Sequence, residues 1–283
     1  MICFVILHYM AVEETIKTVD CVLKLEGSKQ VIVVDNASPN NTIEELTVRY
    51  KNNPVVTLLS SKSNVGFAKG NNIGYHYAKQ KFDPDFIVVM NSDITILQNN
   101  FISLVKKSYQ QTNFDIMGPD IITCAGQLHQ NPLKKSVPTL ASLKKARRVL
   151  LLKNCLRPVY WIKWKLISRH PAKKGIIANS TKTNKMAFDV PLHGSFYVFS
   201  KRYLKENADC FYAKTFMYME AQILYYLAMK KNYTMIYDPS IEVLHADDAS
   251  TDLTFKDRYK KAVFSNKALL QATNAFIELM KKG

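Results

Sequence analysis

The chain has 283 residues, 47% of them hydrophobic and 11% aromatic, with 39 basic against 23 acidic side chains and a net charge of +16. That composition excludes a disordered chain. The sequence shows no internal repeat, low-complexity tract or apolar run of about 18 residues, which argues against solenoids, fibres and a spanning helix. Its length predicts one large domain carrying an insertion.

In chain order, ICFVILHY (2–9) is β-rich and has neither a basic leader nor a small-residue cleavage site, so it reads as a strand and not as a signal peptide. In 12–25, Val12, Ile16, Val19, Val22 and Leu23 recur at helical spacing. A buried strand over 30–35 ends in Asp35 and the polar turn NASPNN, followed by a helix over about 41–50 and a strand over 54–60. The glycine-punctuated NVGFAKGNNIG (64–74) runs into a helix, and a fourth strand, 85–91, ends in Asn91-Ser92-Asp93. Continuous apolar strands alternating with helices predict a parallel sheet covered on both faces. Later, 187–199 reads as a strand broken near Pro191 and Gly194, 220–231 as a helix, and 233–237 as a strand with an extended stretch to His245. The lysine-rich 254–282 region is amphipathic and predicts a closing helix or two. The cysteines, Cys3, Cys21, Cys124, Cys155 and Cys210, are scattered and include no C-x-x-C pair. This argues against a disulfide framework or zinc site and fits a reducing cytoplasm.

The charge is concentrated. Residues 121–188 hold fifteen Lys and Arg and no carboxylate, leaving 24 basic and 23 acidic residues elsewhere. In 143–174 basic residues alternate with leucines and aromatics, among them Trp161 and Trp164. Interfacial aromatics with Lys and Arg suit an anionic membrane surface. Two other readings stay open: base-stacking nucleic-acid contacts, and a solvated hairpin whose apolar face packs on the core.

In open parallel sheets, ligands lie beyond the carboxyl ends of the strands. Three such ends carry polar groups: His8-Tyr9, Asp35-Asn36 and Asn91-Ser92-Asp93. A carboxylate at Asp35 can accept from a base N–H or a sugar hydroxyl. One at Asp93, closing an apolar strand, is costly unless it faces a cleft or a cation. A divalent ion held by one or two carboxylates plus substrate phosphates is the usual magnesium arrangement. Gly66, Gly70 and Gly74 fit neither a dinucleotide nor a Walker loop, but they allow close approach along one helix face.

Together V-V-D-N-A-S (33–38), N-V-G-F-A-K-G-N-N-I-G (64–74) and M-N-S-D (90–93) resemble the family 2 glycosyltransferases of the GT-A fold. The nearest likeness is to the bacterial rhamnosyltransferase-like members that build surface polysaccharides. The resemblance covers about 1–120 and resumes at 187–247. It implies an α/β fold, a three-layer α/β/α domain with a mostly parallel central sheet and a basic amphipathic insertion. The implied divisions are a nucleotide-sugar-binding half (1–120), the insertion on the membrane and acceptor side (121–186), an acceptor-binding and catalytic half (187–253) and a C-terminal helical segment (254–283).

By the same resemblance, His8, Tyr9, Asp35, Asn64, Gly66 and Asn71 line the nucleotide cleft, and Asn91, Ser92 and Gly194 lie by the donor sugar. Asp93 matches the last acid of the family's D-x-D element and, with His245, binds Mn2+ or Mg2+; Asn91 replaces the first acid, a poorer ligand. Glu220 is the catalytic base, with Ala221 and Gln222 where a second acid is usual. The implied activity is inverting, metal-dependent transfer from a UDP- or dTDP-linked sugar to an oligosaccharide or lipid-linked acceptor, in an enzyme peripheral on the cytoplasmic face of the membrane. No nucleic-acid partner is implied, and the C-terminal helix is compatible with a homodimer. The rivals are a nucleotidyltransferase, whose glycine-rich loop is missing after the first strand, and a basic nucleic-acid-binding protein, which would not explain acids at successive strand ends.

Overall fold

The computed structural model describes residues 1–124, 127–133, 137–156, 182–246 and 257–282. Its first half follows the predicted alternation. Strands β1 (Ile2–His8), β2 (Lys29–Asp35), β3 (Val56–Ser60) and β4 (Phe86–Asn91) are separated by helices α1 (Val12–Lys24), α2 (Thr42–Tyr50) and α3 (Phe67–Phe82). The four strands lie parallel in the order β3-β2-β1-β4.

Alternation across the pleat explains why these strands are apolar throughout. Ile2, Phe4, Ile6, Val31, Val33 and Val88 pack on one side with Val19, Val22 and Leu46 of the covering helices. Cys3, Val5, Ile32, Val34 and Ile87 pack on the other, under Ala68, Tyr75 and Ala78 of α3. The result is three layers. Gly70 and Gly74 set how close α3 lies: a Cβ there would come within 2.5 Å of Leu7 Cδ1 and 2.4 Å of Val5 Cγ1.

The rest of the chain supplies β5 (Ile94–Ile96), α4 (Phe101–Thr112), β6 (Ile116–Thr123), α5 (Leu140–Cys155), β7 (Ala187–Phe188) and β8 (Phe196–Ser200). It closes with α6 (Lys201–Glu206), α7 (Glu220–Lys230), β9 (Met235–His245) and α8 (Arg258–Lys282). Among the described residues the sheet runs β3-β2-β1-β4-β8-β6-β9-β5, with β7 on β9. β8 is antiparallel to both β4 and β6, whereas β6 and β9 are parallel. Parallel ladders hold most of the paired residues.

Two stretches differ from the sequence reading. The single broken strand over 187–199 is two strands, β7 and β8, because Asp189 takes a left-handed φ of 51° and the chain loops through Pro191 and Gly194. The strand and extended stretch before His245 are one strand, β9, which absorbs a register shift where Pro119↔Asp238 gives way to Asp120↔Glu242. Outside the sheet, Leu143 of α5, Ile223 of α7 and Phe276 and Ile277 of α8 form a third apolar cluster. The tryptophan-bearing part of the basic segment, 157–181, lies outside the described residues, as does 247–256.

Candidate active site

The ends of β1 and β2 are in register, His8 opposite Asp35. Asp35 is 3% exposed and accepts the Ser38 N–H at 3.2 Å. The Ser38 hydroxyl in turn accepts the Met10 N–H, which ties the two loops together. The His8 imidazole is fully buried between the hydroxyls of Thr15 (2.7 Å) and Thr42 (2.8 Å), so its ring braces the strand end. Burial lowers its pKa against the pull of Asp35. The His8 carbonyl accepts the Asn36 N–H, and Tyr9 beside it is partly exposed.

Asn36 carries the arrangement to the next loop. Its amide donates to Asn64 Oδ1 at 3.0 Å and accepts the Val65 N–H at 2.9 Å, while Asn64 Oδ1 also accepts the Gly66 N–H. Asn71, in the first turns of α3, donates to the Phe67 carbonyl and has a buried Oδ1 with no hydrogen-bond partner. Its neighbour Asn72 binds both the N–H and the carbonyl of Phe211, which fixes α3 against the second half of the chain.

At the end of β4, the Asn91 N–H donates to the Ser195 carbonyl, and Ser92 is buried with its carbonyl accepting the Thr18 hydroxyl. Asp93 follows. Its side chain is 9% exposed, its Oδ1 accepts no hydrogen bond, and His245 Nε2 stands 3.4 Å from that oxygen. Backbone pairing holds the two together: Ile94 lies opposite His245, and the Ala246 N–H donates to the Asp93 carbonyl. The ring of His193 stands 5.7 Å from that of His245, and its Nδ1 meets the Ser195 hydroxyl at 2.9 Å. Burial and the neighbouring His245 push the His193 pKa down to about 4, so its ring is neutral at pH 7. A Cβ on adjacent Gly194 would meet nothing within 4 Å, so that position faces open space.

Burying a carboxylate oxygen without a donor costs free energy unless a cation answers it. Oxygen and imidazole nitrogen facing one another fit a divalent ion whose remaining ligands come from substrate phosphates. The described residues contain no group of three or more His, Cys, Asp or Glu that could hold a metal unaided.

Glu220 opens α7 with its side chain buried and Oε1 unpartnered. Burial raises its pKa, opposed by the backbone at Glu220, the Thr215 hydroxyl and the backbone at Tyr218. The segment before it is strained, with φ of 77° at Tyr218 and 66° at Met219; each costs about 1–3 kcal/mol and persists only where the surroundings enforce it. They do so from two sides. On α8, Ser265 hydrogen-bonds the Tyr218 hydroxyl at 2.8 Å, Phe264 packs edge-on against Phe216, and Thr273 reaches Met219 Sδ. From the start of α3, the Phe67 N–H donates to the Phe216 carbonyl at 2.6 Å. The predicted nucleotide loop and the predicted base segment are therefore in direct contact.

Sequence reasoning missed three contributors. His193 offered only its place beside Gly194, Tyr218 lay within the segment leading to Glu220 without a role, and Gln130, 2.8 Å from His245 Nδ1, gave no signal.

Several known proteins are similar to this chain. The low-salt glycan biosynthesis hexosyltransferase Agl10 of Haloferax volcanii is 26% identical over 122 residues, 43% of this chain and 37% of that protein. The crystal structure of S. aureus TarS 1–349 in complex with UDP-GlcNAc superposes with a TM-score of 0.55 at 13% identity, covering 94% of this chain and 66% of that one. GalNAc-T7 with UDP, GalNAc and Mn2+ gives 0.56 at 13% identity, covering 87% and 43%. This chain thus spans about a third of the length of the hexosyltransferase and less than two thirds of TarS 1–349. The structural likenesses show a shared α/β fold, that of the GT-A glycosyltransferases. Residues 3–176 match the profile of Glycosyl transferase family 2, which is more than half of the chain, and the chain belongs to that family.

Proposed function

We propose that the chain catalyses inverting transfer of a hexosyl unit from a UDP- or dTDP-linked sugar to a hydroxyl of a lipid-linked glycan acceptor, in surface-polysaccharide assembly. The observation that carries this reading is the unpartnered carboxylate oxygen of Glu220, on a segment whose Phe216 lies against the loop that carries Gly66 and Phe67. The name of the Haloferax volcanii relative supports hexosyl transfer, and the UDP-GlcNAc bound to TarS 1–349 and the UDP bound to GalNAc-T7 support the donor class.

Asp35 accepts from the base or ribose, and Asn91 hydrogen-bonds the sugar. Asp93 and His245 would hold a divalent cation, which when bound supplies positive charge against the departing diphosphate. Glu220 Oε1 takes the proton of the acceptor hydroxyl while the acceptor's oxygen, not the carboxylate, bonds to the anomeric carbon. The bond from that carbon to the diphosphate breaks on the opposite face, its electron pair leaves with the diphosphate, and the configuration inverts.

A donor screen by thermal shift tests this. Ligand at a hundredfold excess over Kd stabilises by about 2.7 kcal/mol, so a matching UDP- or dTDP-sugar raises Tm by several degrees. Manganese enlarges the rise, and Asp93→Asn removes the manganese-dependent part. A melting temperature indifferent to every nucleotide-sugar overturns the proposal.

The membrane half of the reading rests on α5. Leu143 and Leu150 are buried, while Val149, Leu151, Leu152 and Leu156 are 40–59% exposed among Lys144, Lys145, Arg147, Arg148 and Lys153. No helix of the described residues is long and apolar enough to cross a membrane; in this reading the contact is made by the exposed apolar and basic face of α5. Leu151→Ser with Leu152→Ser reduces affinity for anionic vesicles, read by sedimentation, by about tenfold, the effect of removing about 1.4 kcal/mol of apolar burial, and leaves donor-induced Tm shifts intact. Unchanged sedimentation counts against α5 as the contact.

A further inference from the structure

Residues 129–131 run beside β6, bridged to it at Ile122↔His129, and the Gln130 N–H donates to the Ile121 carbonyl at 2.8 Å. Their three side chains take separate partners. His129 Nδ1 lies 2.9 Å from both oxygens of the buried Asp120. Asn131 donates to the Pro119 carbonyl at 2.8 Å and accepts the His193 N–H at 2.7 Å. Between these anchors Gln130, 9% exposed, sets its Oε1 2.8 Å from His245 Nδ1.

We infer that Gln130 is a positioning residue that fixes the tautomer and rotation of His245, its carbonyl accepting the Nδ1 proton so that the Nε2 lone pair faces Asp93. A neutral imidazole carries one ring proton, and placing it on Nδ1 makes Nε2 the electron-pair donor. Nε2 then confronts the Asp93 oxygen that accepts no hydrogen bond, 3.4 Å away. Two electron-pair donors turned toward each other repel unless a cation lies between them, and an outer partner that holds a ligating histidine in this way is the usual support of such a site. His129 and Asn131 keep the glutamine in place from either side, and Asn131 sets the backbone of His193 as well. The inference rests on the assignment of Asp93 and His245 to the cation in the proposed function.

The test measures Mn2+ binding to the full chain by electron paramagnetic resonance, with UDP present. Gln130→Leu, close in volume but without an acceptor, weakens Mn2+ binding by about 10–100-fold. Gln130→Glu, which keeps an acceptor at the same reach, restores it to within a few-fold. UDP affinity without manganese is unchanged in both. Long-range 15N–1H spectra of the histidine rings show His245 as the Nδ1–H tautomer in the unsubstituted chain, a readout that needs no variant to fold. Wild-type Mn2+ affinity in Gln130→Leu, or an Nε2–H tautomer in the unsubstituted chain, overturns the inference. The underlying reading fails separately, when Asp93→Asn leaves Mn2+ affinity unchanged.

Discussion

Glu220→Gln is expected to lose about 10²–10⁴-fold in transfer rate, the usual effect of removing a general base, while binding donor as tightly as the unsubstituted chain. The amide keeps the shape of the side chain and cannot take the acceptor's proton. The same substitution is expected to stabilise the fold at neutral pH. Burial raises the Glu220 pKa, so between the ordinary glutamate value and the raised one the folded chain binds more protons than the unfolded chain. Stability therefore falls as pH rises through that window. The unsubstituted chain carries that loss at pH 7 and the glutamine variant does not. Tm of the variant should equal or exceed the native value at pH 7, and the gap should close as pH drops below the ordinary glutamate range. The acid limb of the native pH–rate profile should lie above that range too. Near-native turnover in the variant would take the base role away from Glu220.

Gly66→Ala is expected to damage both stability and catalysis. Gly66 sits at φ +85°, and a Cβ there would lie 2.3 Å from the Phe216 carbonyl oxygen and 2.8 Å from its Cα. Both are backbone atoms, so no rotamer change relieves the clash. A strained backbone angle alone costs about 1–3 kcal/mol, a large share of an ordinary folding free energy of about 5–15 kcal/mol. Relief must come from moving the 216–220 segment, and a shift of about 1 Å in a reacting group can cost about 100-fold in rate. Denaturant melts and single-turnover rates below the lowered Tm read both effects. Gly194→Ala, with nothing within 4 Å of the added methyl, is the control and should change stability by no more than about 0.5 kcal/mol. Equal melts for the two variants would refute the contact between loop and base segment.

Much of the first half was legible in the sequence because its cause is local. Strands β1, β2 and β4 are buried on both faces and so spell uninterrupted apolar runs, and a polar cluster closing such a run stands out against it. The antiparallel placement of β8 between β4 and β6 was not legible, since it joins segments far apart in the chain and no turn announces it. The break between β7 and β8 showed only as Pro191 and Gly194, which mark a bend without telling where the chain goes. Glu220 was found through the family resemblance; the strained segment before it is held by α8 and by the Phe67 N–H, which no local pattern around 216–220 predicts. Gln130 was hidden for the same reason, as its partner lies 115 residues away.

Inserting β8 between β4 and β6 gives the molecule one uninterrupted hydrogen-bonded slab from Ser60 on its outer strand to Ile96 on the other. Asp35 and Asp93 from the first half of the chain, and His193, His245 and Glu220 from the later segments, are mounted on or beside that single slab. The placement of Asp35 and His245, at the ends of β2 and β9, is therefore set by the register of the strands that flank them.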